Sequence, residues 1–230
     1  KRALDFFFLL RYNFMISLRI KKTKTKIKKS FMDDNMQLLI AEADKKKQEG
    51  CHEEAIQICE KILHYDLDCT EAFEEIGDNY LSMREYKKAK KALDMAIKLN
   101  PNSANANYLI GFVHSCIGKW GSSVDFLETA DQLYPNHPEI LRCLGWSMFH
   151  NGERKRGVVV LERALQLSPK DPLILTDLGV IYLNEKRFDR SASLFKRVLE
   201  IEPDNQKAAE CLNAVKFFQR EYKKLKNRKG

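Results

Sequence analysis

The sequence predicts an all-α solenoid of antiparallel helix hairpins, and three observations carry that prediction. Pro101, Pro135, Pro169 and Pro203 stand 34 residues apart, and so do Gly77, Gly111, Gly145 and Gly179. Leu99, Leu133, Leu167 and Ile201 repeat with the same period, each two residues before a proline. Between these markers, apolar residues recur at helical spacing. A fixed period of this length marks a stack of identical supersecondary units.

Ending each unit just past its proline gives five repeats, 36–69, 70–103, 104–137, 138–171 and 172–205. The second shows the physics most plainly. Phe73, Ile76, Gly77 and Tyr80 form the apolar stripe of a first helix, and Tyr86, Ala89, Leu93, Ala96 and Leu99 that of a second. Met83-Arg84-Glu85 is the turn between them, and Gly118 and Gly152 occupy the matching turn of later repeats, where glycine can take a left-handed conformation and stop a helix. Small residues at Gly77, Ala89 and Ala96 let the two helices approach closely. Asn100-Pro101 ends the second helix, because the residue before proline is pushed away from helical dihedrals. Neither helix pair can bury its apolar face alone, so the hairpins must stack.

The first repeat departs most. Glu42 and Lys46 stand where apolar residues are expected, and Leu67 replaces the proline, which suits a polar-faced end repeat. Residues 206–227 start a sixth cycle with Ala209, Leu212 and Val215 but have no second helix, which predicts a capping helix and then a short tail, 228–230.

Charge divides the chain. The net charge is +8, but residues 1–30 carry ten Lys/Arg against Asp5, and residues 206–230 carry eight basic and two acidic residues. The remaining 31–205 is therefore net −7, unlike a uniformly basic nucleic-acid binder. Residues 1–31 are read as a basic, apolar segment outside the fold; apolar residues beside a lysine cluster can also contact an anionic membrane surface. Its longest uncharged stretches, 6–10 and 12–18, are too short to span a bilayer. Six cysteines without a C-x-x-C pair, and no N-x-S/T sequon, point to a reducing, cytoplasmic location.

Catalytic chemistry finds little support. The five histidines form no H-x-x-x-H or H-E-x-x-H pair, so neither metal nor cofactor is expected. Gly118-Lys119-Trp120-Gly121-Ser122-Ser123 lacks the order of a phosphate loop. Cys143 and His150 have no third partner that would make a nucleophile-and-base pair.

The spacing of aromatic, Leu/Ile-Gly, Tyr, then Ala, a large apolar residue, Ala and Pro resembles the tetratricopeptide repeat over residues 36–205. The resemblance implies a right-handed superhelix whose first helices line a concave groove for a peptide or helix of a partner protein, with no reaction catalysed. In that family the groove faces the second, fifth, sixth, ninth, twelfth and thirteenth places of each repeat. The resemblance therefore implies groove positions at Asp44, Glu71, Glu74, Glu75 and Asp78, then Asn105, Tyr108, Phe112, Arg142, Trp146, Phe149 and His150, then Thr176, Asp177 and Asn184. The cationic clamp by which some members hold an acidic C-terminal tail is missing: Ile40, Asp44, Glu75, Asn105 and Leu109 stand at its places. The expected ligand is instead a segment with an apolar anchor over Tyr108, Phe112, Trp146 and Phe149 and a basic flank over the second-repeat acids. Two other readings compete with it: nucleic-acid or anionic-membrane association through the basic termini, which ranks lower because the lysine run lacks interleaved aromatics, and an accessory repeat domain of a larger enzyme.

Overall fold

The computed structural model describes residues 35–227, and these form eleven helices joined by short turns. The helices are α1 (35–48), α2 (His52–Tyr65), α3 (Thr70–Ser82), α4 (Tyr86–Leu99), α5 (Ala104–Cys116), α6 (Trp120–Leu133), α7 (Pro138–His150), α8 (Arg154–Leu167), α9 (Pro172–Asn184), α10 (Phe188–Ile201) and α11 (Gln206–Asn227). Paired in order they make five hairpins and a final helix. The expectations for segment 1–31 and for the tail 228–230 fall outside the described residues.

Every first helix ends the same way. Gly50, Arg84, Gly118, Gly152 and Lys186, 34 residues apart, all have positive φ, between 59° and 97°. The next amide reaches back five residues, as in Glu85 N–H to Tyr80 O at 2.8 Å and Arg187 N–H to Tyr182 O at 2.8 Å. This closure satisfies carbonyls that the helix end leaves orphaned. Glycine fills three of the five turns without strain, while Arg84 and Lys186 hold the same left-handed geometry against their own Cβ. The second helices end at Asn100, Tyr134, Ser168 and Glu202, each extended before its proline, with ψ between 77° and 89°. Asp66 ends α2 with ψ 99°, although Leu67 follows it. Ser103, Asp171 and Asn205 then restart the chain as helix, their side-chain oxygens accepting from amides two or three residues on.

The periodic glycines make room for one large side chain per hairpin. A Cβ at Gly77, Gly111 or Gly145 would lie 2.5–2.7 Å from Cγ of Leu93, Leu127 or Leu161, and one at Gly179 would lie 2.9 Å from the Phe195 ring. In the first hairpin Ala43 replaces glycine and Cys59 replaces the large residue, both fully buried. The second helix returns a small residue at Ala89, Ser123, Gly157 and Ser191. Ser123 and Ser191 turn their hydroxyls to the carbonyls of Gly111 and Gly179, each at 2.7 Å. Gly157 packs tighter still: a Cβ there would lie 2.5 Å from Gly145 O and 2.7 Å from Phe149 N. The core is consequently a row of rungs (Leu93, Leu127, Leu161, Phe195) with no single centre. At the end of the row α11 lays Leu212 and Val215 on Phe195 and closes it.

Candidate functional site

The first helices contact one another in sequence, α3 with α5, α5 with α7 and α7 with α9, and so form one layer of the stack. Its α1–α3 end is acidic. Lys47 Nζ, the cation of this cluster, reaches Glu75 at 2.9 Å, Asp78 at 3.1 Å and Asp44 at 3.2 Å. Burial alone would lower the pKa of Lys47, but hydrogen bonds and attraction from Glu75 and then Asp78 outweigh it and raise it. One ammonium among three carboxylates leaves two negative charges uncompensated in the cluster. Glu71 is exposed at the start of α3. Glu74 differs from its neighbours: it is only 8% exposed and accepts hydrogen bonds from Ser103 Oγ and from Asn105 Nδ2 at 2.8 Å. It therefore ties α3 to the start of α5, and Asn105, though exposed, gives an amide N–H to this tie.

A second network runs across α5, α7 and α9. Tyr108 donates its hydroxyl to Glu139 at 3.0 Å. Arg142 grips Glu139 through Nη2 at 2.6 Å and Nε at 3.0 Å, and extends Nη1 to Asp177 at 2.7 Å. Burial pushes the Tyr108 hydroxyl pKa up, reinforced by Cys143 and Glu139. Burial would raise Glu139 too, but the Arg142 hydrogen bonds prevail and hold its carboxyl below the usual range. At Asp177 burial prevails over Arg142, and its pKa is raised. Burial likewise pushes the Cys143 thiol up to about 12, so it is not a poised nucleophile.

Above this network a hollow of about 200 Å³ opens between α5, α7 and α9, walled by Phe112, Cys116, Arg142, Cys143, Trp146 and Asp177. Phe112 stacks on Tyr108 at 6.4 Å, and Phe112 and Trp146 are both half-buried. On the other side of Trp146, the His150 ring lies 4.5 Å from it and 4.7 Å from Trp120, and burial lowers the pKa of that imidazole.

Of the positions the resemblance implied, the structure gathers Tyr108, Phe112, Arg142, Trp146, His150 and Asp177 in one region and Asp44, Glu75 and Asp78 in another. Asn184 is exposed at the end of α9. Phe149, expected as a groove anchor, is 7% exposed and packs in the core with Val158, Leu161 and Leu178. Lys47, Glu139 and Trp120 were not anticipated. Lys47 and Glu139 occupy the twelfth and second places of their repeats, so the register that pointed to the other positions also points to them. Trp120 begins a second helix at the place Tyr86 holds in the second hairpin, which the repeat pattern marks for packing and not for the groove. Among the described residues no group of His, Cys, Asp or Glu could hold a metal ion, and no helix is long and apolar enough to cross a membrane.

Comparison with known proteins agrees with this architecture. Two family models described as tetratricopeptide repeat match residues 70–103 and 148–214. Anaphase-promoting complex subunit 3 of Schizosaccharomyces pombe is 24% identical over 94 residues, 41% of this chain. The match spans only 14% of that relative's length. Among solved structures, pilF of Pseudomonas aeruginosa superposes with a TM-score of 0.71 at 16% identity, over 83% of this chain and 87% of the other. A thermophilic repeat protein of Thermus thermophilus gives 0.67 at 16% identity, over 79% and 99%. YrrB, described as having an unusual peptide-binding site, gives 0.58 at 19% identity, over 75% and 89%. At these identities the likeness is one of fold.

Proposed function

Because the chain is a tetratricopeptide repeat protein, we propose that it is a protein-interaction scaffold holding a peptide or helix of a partner across its first helices. An apolar side chain of the guest enters the hollow between Phe112 and Trp146, and a basic flank lies over Asp44, Glu75 and Asp78. The observation that carries this reading is the hollow itself. It combines two half-buried aromatic walls with a carboxylate, Asp177, whose cationic partner Arg142 is shared with Glu139. Half-buried aromatics in a concave site make strong anchors, and acids along the approach fix orientation and speed association. That the same fold carries a peptide-binding site in YrrB supports the reading. Phe149 has no part in it, since its side chain belongs to the core, and Glu74 is engaged with Ser103 and Asn105.

Selection from a random library of 12-residue peptides tests the proposal directly. The expected outcome is enrichment of sequences with a Leu, Phe or Met followed by Lys or Arg. Trp146→Ala should then weaken the selected peptides roughly 30-fold, the equivalent of about 2 kcal/mol, while far-UV circular dichroism stays unchanged. Enrichment of acidic sequences, or equal binding by a folded Trp146→Ala variant, would overturn it.

A further inference from the structure

The final helix does more than close the core. The first helices of the second to fifth hairpins have 13 residues, whereas α11 has 22. On the register of α9, α11 would stop at Phe218, so residues 219–227 overhang by about 13 Å at 1.5 Å per residue. The face that caps the core is Ala208, Leu212 and Val215, and its helical continuation is Gln219, Tyr222, Lys223 and Lys226. That one face is apolar while it lies on the hairpin and turns cationic where it leaves it.

The overhang stands opposite the turn that starts α10, and between them is a cleft of about 540 Å³. Its walls are Lys186, Arg187, Arg190, Lys223 and Lys226, with one carboxylate, Asp189, and an aromatic floor of Phe188 and Tyr222. Asp189 is engaged by the Gln219 amide at 2.9 Å. Lys186 lies over the Tyr222 ring at 5.4 Å, and Arg187 over Tyr182 at 4.4 Å. Arg187 also approaches Glu185 at 3.5 Å, and Arg190 approaches Glu162 at 4.0 Å. Among the described residues, Lys186, Lys223 and Lys226 form no ion pair. The second and fourth hairpins balance the same turn: Glu85 pairs with Lys88 and Glu153 with Arg156. In the fifth hairpin Arg187 stands in that glutamate's place, as Lys119 does in the third, and here Lys223 and Lys226 of α11 lie opposite, so the charge accumulates.

We infer that this C-terminal cleft is a second binding site, separate from the groove of the proposed function, and that it takes an acidic peptide segment bearing carboxylates or phosphoserine. Five cations around one engaged carboxylate set the sign of the ligand; Arg187 and Arg190 are paired outside the cleft and, among the described residues, the three lysines are not. Two aromatic faces on the floor suit an apolar side chain next to its acidic residues. A polypeptide fits better than a nucleic acid, because the cleft is short and the repeat body, residues 31–205, is net −7 even with the cleft's own Lys186, Arg187 and Arg190 counted, which repels a continuous polyanion. A bilayer fits poorly because these cations line a concavity between two helices.

The test is fluorescence anisotropy on the full chain with five probes. These are a 12-residue peptide of Glu, Ser and Phe, its phosphoserine version with fewer Glu, its Gln version, a 12-nucleotide single strand, and phosphatidylserine vesicles read by co-sedimentation. Binding of the Glu peptide, the phosphoserine peptide or both, with at least tenfold weaker binding of the Gln peptide, is expected. The full-chain double variant Lys223→Glu/Lys226→Glu should lose at least tenfold in affinity for the acidic peptides. Both substitutions sit on the exposed overhang, so circular dichroism should be unchanged and peptides selected on the groove should bind as before. Trp146→Ala should leave acidic-peptide binding intact, so either site can fail without the other. The inference is overturned if neither acidic peptide binds, if the double variant binds them equally, or if the oligonucleotide or the vesicles bind more tightly than both.

Discussion

Replacing Arg142 with Met should expose how much of the stack between the third and fifth hairpins depends on one guanidinium. The side chain is 13% exposed and makes three charge-assisted hydrogen bonds, two to Glu139 and one to Asp177. Methionine keeps the apolar stem and leaves two carboxylates facing each other without a cation. Stranding buried charge in this way costs roughly 3–5 kcal/mol when desolvation is complete. Glu139 and Asp177 keep side-chain exposures of 31% and 19%, so residual hydration places the expected loss near ~3 kcal/mol at pH 7.5. Urea denaturation followed by tryptophan fluorescence reads the change locally, since Trp146 adjoins the network.

The pH dependence gives a second check on the same variant. In the wild type, the raised Asp177 contributes stability at low pH that is lost as pH rises through its folded pKa. The lowered Glu139 contributes stability above its unfolded pKa that is lost as pH falls through its folded one. The two trends oppose each other on the acid side. Without Arg142 both carboxyls shift upward, so the variant should regain more stability than the wild type as pH falls from about 7.5 to about 5.5. A loss below about 1 kcal/mol, or parallel pH profiles for the two proteins, would refute the reasoning.

Two further substitutions test the turns. Arg84→Gly should raise stability by about 1 kcal/mol, because φ is 59° there and glycine removes the strain of a left-handed Cβ; a decrease in denaturation midpoint would count against it. Asp171→Ala should lose about 1 kcal/mol, since its carboxylate accepts from the amides of Leu173 and Ile174 at 2.8 and 3.2 Å; an unchanged midpoint would show that the cap is idle.

The repeat architecture was legible because its determinants are local. A proline forces the residue before it out of the helix, a left-handed turn stops each first helix, and a glycine admits one large side chain. Each acts within one period. The first hairpin shows the limit of that logic, since Asp66 ends α2 without a proline and Ala43 with Cys59 replaces glycine with a larger residue. The site was read less completely because its properties depend on residues about 30 positions apart. Glu74 looked like a free groove acid until Ser103 and Asn105 were found on it, and the acids around Lys47 looked unopposed. Phe149 falls on a groove place by counting. Yet Gly157 lets α8 press against the Phe149 backbone, and the ring joins Val158 and Leu178 in the core. The overhang of α11 was visible only as a basic helix without a partner; that its capping face continues as cations opposite Arg187 and Arg190 required the packing.

The proposal that a guest lies across the first helices can be tested most directly by the two indole N–H resonances of Trp120 and Trp146 in a nitrogen–proton correlation spectrum. Titration with a library-selected peptide should shift Trp146 strongly, and with it the amides of Phe112 and Asp177, while the amides of α4 and α8 on the opposite layer stay in place. Binding that leaves the Trp146 indole unmoved and shifts the second helices instead would contradict the account.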